Sequence, residues 1–270
     1  MDDIAGFDVL VQFYSQIDVL LLIFVRVIGF FMAIPVISSQ NIWGMGRIFL
    51  ALCVSVALFM SGMATTVYYM DTTLGYVYLI LLEFMVGVII GYVASLIFNL
   101  IFFAGQLIDF QIGLTMVNVI DPMTQVQVPI VGNLYYFSLM AIVVVTGGLH
   151  AFFETFFYSY TIIPIGTGTV LGNELLAWRV VMLLVESTIL AVRIAMPLIG
   201  TMMVVNVALG VMVKTVPQMN VFVVGLPLKL LVGLVLLWIV MTPNLGTIFR
   251  LVGNMAYNAM LEVIWEMRTT

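Results

Sequence analysis

Residues 104–129, AGQLIDFQIGLTMVNVIDPMTQVQVP, separate two long apolar runs and decide how the rest of the chain is read. Within them Asp109, Gln111, Asn118, Asp121 and Gln125 are interleaved with Gly105, Gly113 and Met116, and Pro122 and Pro129 fall in the second half. A helix facing lipid tails does not carry that composition. Non-helical backbone at membrane depth is tolerated only where protein buries it or where it lines a water-filled cavity. The stretch therefore predicts an interruption in a helical membrane chain, and implies a pore, a plug or a binding cavity.

Working outward, 64% hydrophobic and 8% charged residues, with a mean hydropathy of +1.26, place the chain among all-α integral membrane proteins. The net charge of −5 and the scatter of the eight basic residues exclude nucleic acid as a partner, because phosphate backbones are bound by clustered Lys and Arg. Cys53, the only cysteine, lies in the apolar run IFLALCVSVALF and reads as a small buried hydrophobe. The amino-terminal MDDIAGFD lacks the basic start of a cleavable signal peptide.

Apolar runs at 17–33, 48–63, 74–104, 131–163, 175–213 and 221–242 predict about six long helical segments. Residues 74–104, unbroken, would be about 45 Å long at ~1.5 Å per residue, against a hydrocarbon core of ~30 Å. Such helices must tilt, break or project from the bilayer, and Pro197 offers a kink in the longest. Arg47 and Lys214 both face the cytoplasm if the amino terminus is outside and six spans follow. After Thr242, apolar residues near helical spacing, Ile248, Leu251, Val252, Met255, Ala259 and Val263, predict an amphipathic carboxy-terminal helix.

Charges inside the runs are few, and each needs a partner or water. Arg26 stands within IDVLLLIFVRVIGFFMAIP, and Glu83 of the third segment is its candidate partner. Arg179, Glu186 and Arg193 are spaced seven apart and form one charged stripe on a helix, which requires a protein or water neighbour. Glu186 and Arg193 lie too deep in the run for snorkelling to an interface and are expected to be buried charges like Arg26 and Glu83. His150 and Glu154 are neighbours on one helix face, but two ligands do not make a metal site. No HExxH, CxxC, GxSxG or GxxxxGK[ST] sequence occurs, so neither an enzyme nor a cofactor is expected. Gly87, Gly91 and Ser95, four apart, make a small-residue face suited to close helix packing.

Residues 214–229, KTVPQMNVFVVGLPLK, turn the chain between two apolar helices, with Pro217, Asn220, Gly225 and Pro227. PQMNVF followed by VGLPLKLLVGL resembles the closing hairpin of the FliR family, the export-gate subunit of flagellar and related type III secretion systems. The similarity extends over nearly the whole chain: RVIGFFMAIPVIS from Arg26, EFMVGVIIGY from Glu83, AGQLIDFQIG with the later Asp121–Pro122 pair, and GGLH ending at His150. Gln106 departs from the commoner AGE form of that family.

The resemblance implies a non-enzymatic channel subunit of the bacterial inner membrane and flagellar basal body. It would join FliP-like and FliQ-like subunits in a helical assembly, with FlhB-like and FlhA-like components nearby, and pass unfolded protein substrates. Residues 1–170 would form a FliP-like part, and 171–270 a FliQ-like hairpin plus the amphipathic helix. The 104–129 stretch would be the inward loop that plugs the resting pore, carried by Asp109, Gln111, Gly113, Met116, Asp121 and Pro122. Lys214, Pro217, Gln218, Met219, Asn220, Phe222 and Lys229 would contact a neighbouring subunit. A secondary transporter for a small solute or ion is the alternative from another class, and its expected sign, paired broken helices in two related halves, is not found in the sequence.

Overall fold

A chain this apolar satisfies its backbone hydrogen bonds within its own helices. The computed structural model, which describes residues 2–38, 43–63, 72–116, 129–170, 172–215 and 221–268, accordingly builds every element as a helix. These are α1 (Asp2–Ala33), α2 (Pro35–Ser38), α3 (Gly44–Ser61), α4 (Thr73–Ile112), a 3-10 turn (Leu114–Met116), α5 (Ile130–Val145), α6 (Gly148–Ile162), α7 (Glu174–Thr215) and α8 (Val221–Glu266). By length and composition α3, α4 and α7 can each cross a membrane, and α5 with α6 make a fourth crossing if that broken pair is one span.

The structure departs from the sequence expectation in three places. The run at 131–163 is two helices: Thr146 donates its N–H to Ile142, and Gly147 then takes a left-handed φ of +75°, which ends α5. The third segment does not stop at Ala104. Helix α4 continues through the first third of the polar stretch to Ile112 and ends at Gly113, whose φ is +92° and whose N–H reaches the Asp109 carbonyl. The carboxy-terminal helix is not a separate element, because α8 runs 46 residues without a break, Pro243 included. At ~1.5 Å per residue α4, α7 and α8 are roughly 60 to 70 Å long, about twice a hydrocarbon core of ~30 Å.

The chain divides into two compact units. One comprises Met1–Ser95, Leu149–Leu183 and Ala256–Thr270, the other Leu96–Gly148 and Leu184–Met255. In the first, α1 crosses the beginning of α4 at backbone contact. A Cβ on Gly87 would overlap the Arg26 carbonyl, and one on Gly91 would lie 2.7 Å from the Phe30 carbonyl oxygen, so glycine is what permits the approach. Phe30 stacks on Phe156 of α6 at 4.1 Å between ring centroids, and Tyr160 meets Phe156 edge-on. Asn173 caps α7 through the Leu176 N–H, and its side-chain amide also donates to the Glu266 carbonyl, which ties the start of α7 to the end of α8. Arg179 and Glu262 form an ion pair beside that tie.

In the second unit the end of α4 lies against the start of α5, where a Cβ on Gly105 would come within 2.6 Å of the Gly132 nitrogen. Tyr136 packs edge-on to Phe102 and tilted to Phe98. Gly233 of α8 receives the Ile112 side chain, whose Cγ1 would lie 2.7 Å from any Cβ added there.

Candidate functional site

Arg26 is fully buried in the first unit, in a setting that leaves it no water. Its Nε donates to Glu83 Oε2 at 2.5 Å, and its Nη1 donates to the Ile163 carbonyl at 3.1 Å. Glu83 Oε1 accepts the Gly166 N–H at 2.8 Å. One ion pair thereby joins α1, α4 and the turn after α6. Nη2 has no hydrogen-bond partner among the described residues. The guanidinium carbon lies 4.4 Å from the Tyr160 ring centroid, so the aromatic face supplies a further attraction to the cation. A buried cation and carboxylate arranged this way can hold three elements in one geometry.

Asp109 organises the second unit. Its carboxylate is fully buried near the end of α4 and accepts two backbone donors, Val131 N–H at 3.0 Å and Gly132 N–H at 3.1 Å. Those amides belong to the first turn of α5, where a helix leaves donors without an intrahelical acceptor. Pro129, at the cap position, supplies no side-chain cap. Asp109 therefore does from 22 residues away what a local Ser or Asp does elsewhere, and a carboxylate at the positive end of a helix is also favoured by its dipole. The consequence is geometric: the chain leaves α4 at Gly113 and re-enters helix at Ile130 within reach of one side chain.

Beside this clamp, α4, α7 and α8 surround a cavity of about 520 Å³. Gln111 and Gly113 line it together with Asn206 of α7 and Lys229 of α8. Of the other residues expected in the site, Met116 ends the 3-10 turn, Phe222 is the second residue of α8, and Lys214 is exposed in the last turn of α7. Asp121, Pro122, Pro217, Gln218, Met219 and Asn220 lie outside the described residues.

Three residues expected to be buried are not covered by this chain alone. Glu186 and Arg193 are exposed within this chain, as is Cys53. The cause is the same for all three: only 17% of the most apolar window of α3 or α7 is buried by its own chain, against 59% for α4. His150 and Glu154 are both exposed on α6, and among the described residues no group of three His, Cys, Asp or Glu converges. Sequence reasoning missed the Gly166 and Ile163 backbone groups around Arg26, and Asn206 in the cavity. A polar side chain in the apolar run MMVVNVALGVMV was the available signal for Asn206.

The family described as bacterial export proteins, family 1, matches residues 17–255 of the chain. The flagellar biosynthetic protein FliR of Bacillus subtilis (strain 168) is 32% identical over 235 residues, 87% of this chain and 88% of the relative. That of Aquifex aeolicus (strain VF5) is 31% identical over 226 residues, covering 81% and 83%. The surface presentation of antigens protein SpaR of Shigella flexneri is 28% identical over 165 residues, covering 60% and 62%.

Proposed function

The chain belongs to family 1 of the bacterial export proteins, subunits of flagellar and related type III export apparatus, and from that membership we propose that it is a core channel subunit of a flagellar export gate. In this reading it sits in the bacterial inner membrane with FliP-like and FliQ-like subunits and forms the mouth through which unfolded substrates leave. Residues 114–128 are the seal of the resting channel. The FliP-like part is 1–170, and the FliQ-like hairpin with the remainder of α8 is 171–270. The channel works without covalent chemistry: energy comes from the membrane and from partner ATPase components, and the chain contributes walls and a closure.

The observation that carries this reading is the Asp109 clamp. A polar, glycine- and proline-containing stretch is held at both ends by a buried carboxylate between two apolar helices, as a stretch that must project and yield requires. The exposed Arg193 agrees with a multi-subunit setting, because a charge on an apolar helix is costly against lipid and is satisfied against protein or water. Lys214, at the hairpin, is assigned to subunit contact.

Purification of the tagged chain from flagellated cells tests the assignment. Recovery in a large complex with FliP-like and FliQ-like chains is expected, together with loss of flagellar filament export when the gene is removed. Recovery as a lone chain or simple homo-oligomer, with export intact in the deletion strain, contradicts it.

A further inference from the structure

The cavity in the second unit has a chemistry that sealing does not require. Its lining combines apolar Leu209 and Val213 of α7 and Leu226 of α8 with Gln111, Asn206 and the half-buried Lys229. Lys229 stands inside the apolar stretch Val223–Ile239, where an ammonium group needs an anion or water. The described carboxylates of this unit do not serve it. Asp109 is committed to the two α5 amides, and Glu186 lies twenty residues before Asn206 on α7, about 30 Å away by helix rise. The helix surface beside the cavity is apolar and exposed at Val207, Val211, Val223 and Leu231, so a ligand approaches through an apolar medium.

We propose that this cavity binds an anionic phospholipid, its phosphate on Lys229 with Asn206 and Gln111 donating to phosphate or glycerol oxygens, and the start of an acyl chain along Leu209, Val213 and Leu226. Basic pockets between membrane helices hold lipid head groups by this combination. The volume of about 520 Å³ suits a head group with its first methylenes. A single carboxylate side chain from another subunit leaves most of it unfilled, which close-packed interfaces do not tolerate. The assignment concerns the wall of this unit and stands whether or not residues 114–128 seal a channel.

The test uses the full complex returned to phosphatidylcholine bilayers containing spin-labelled phosphatidylglycerol or spin-labelled phosphatidylcholine, with the motionally restricted fraction as readout. Restricted phosphatidylglycerol is expected in excess. Lys229→Gln should lower that preference about fivefold, the weight of one lysine against an anionic lipid, while Lys229→Arg retains it. Equal preference in Lys229→Gln and the unaltered complex overturns the proposal. Displacement of the label by excess inorganic phosphate also overturns it, since the site then takes a free anion. Carbodiimide cross-linking of Lys229 to a carboxylate of a co-purifying subunit overturns it in favour of a protein occupant.

Discussion

Replacing Glu83 by Gln removes the one charge that Arg26 faces among the described residues while keeping a side-chain oxygen for the Gly166 N–H. Both partners are fully buried, so the guanidinium cannot turn to water. Breaking a buried pair from one side costs about 3 to 5 kcal/mol, most of it the penalty of an uncompensated charge. The retained acceptor places Glu83→Gln near the lower figure, a loss of about two decades in the folding equilibrium at ~1.36 kcal/mol per decade. Arg26→Met leaves the carboxylate stranded and should cost a similar amount. The double variant strands neither charge, and its remaining deficits are the Ile163 carbonyl and the amide NH₂ that Gln brings in place of Glu83, unsatisfied groups worth about 1 to 3 kcal/mol each. The two substitutions should therefore couple, near the top of the usual ~0.5 to 3 kcal/mol for contacting residues. Reversible unfolding of the purified chain in mixed detergent micelles, followed by circular dichroism, measures all four species. Single variants within about 1 kcal/mol of the parent, or a double variant equal to the sum of the singles, would refute the reasoning.

Asp109→Asn substitutes an NH₂ donor for one of two oxygens that accept from α5, and should cost about 1.5 to 3 kcal/mol, the range for a charged hydrogen bond; faster amide exchange at Val131 and Gly132 than at Leu139 is the specific signature. Gly87→Leu forces α1 away from α4 because its Cβ overlaps the Arg26 backbone, and should lower stability by ~1 to 3 kcal/mol or more, with a lower thermal midpoint in detergent. Lys214→Glu reverses an exposed charge at the end of α7 and should reduce recovery of FliQ-like chains with the tagged protein; parental recovery would argue that this hairpin end is free in the complex.

The Arg26–Glu83 pair was legible because each is an isolated charge in an apolar run, and an isolated charge in such a run demands a counter-charge. The small-residue face of Gly87 and Gly91 was legible for a similar reason, being a local spacing with a direct packing consequence. The extent of α4 was not, since Asp109 and Gln111 look like loop residues until the α5 amides that satisfy Asp109 are known, and those lie 22 and 23 residues away. Gly147 shows a signal present but underweighted: Thr-Gly-Gly at 146–148 breaks the apolar run that hydropathy alone reads as continuous. For Cys53, Glu186 and Arg193 the sequence did not say which neighbour covers them, because hydropathy reports a residue's aversion to water and not whether its neighbour belongs to the same chain.

The seal is tested most directly by ion conductance across membranes holding the assembled gate, with residues 114–123 removed. That deletion spares Ile112, which is fully buried and fills the space at Gly233, and Gly113, which ends α4. Normal assembly with a resting leak of small ions, absent from the parental complex, is the expected result. Normal assembly with conductance unchanged would contradict the placement of this stretch across a channel.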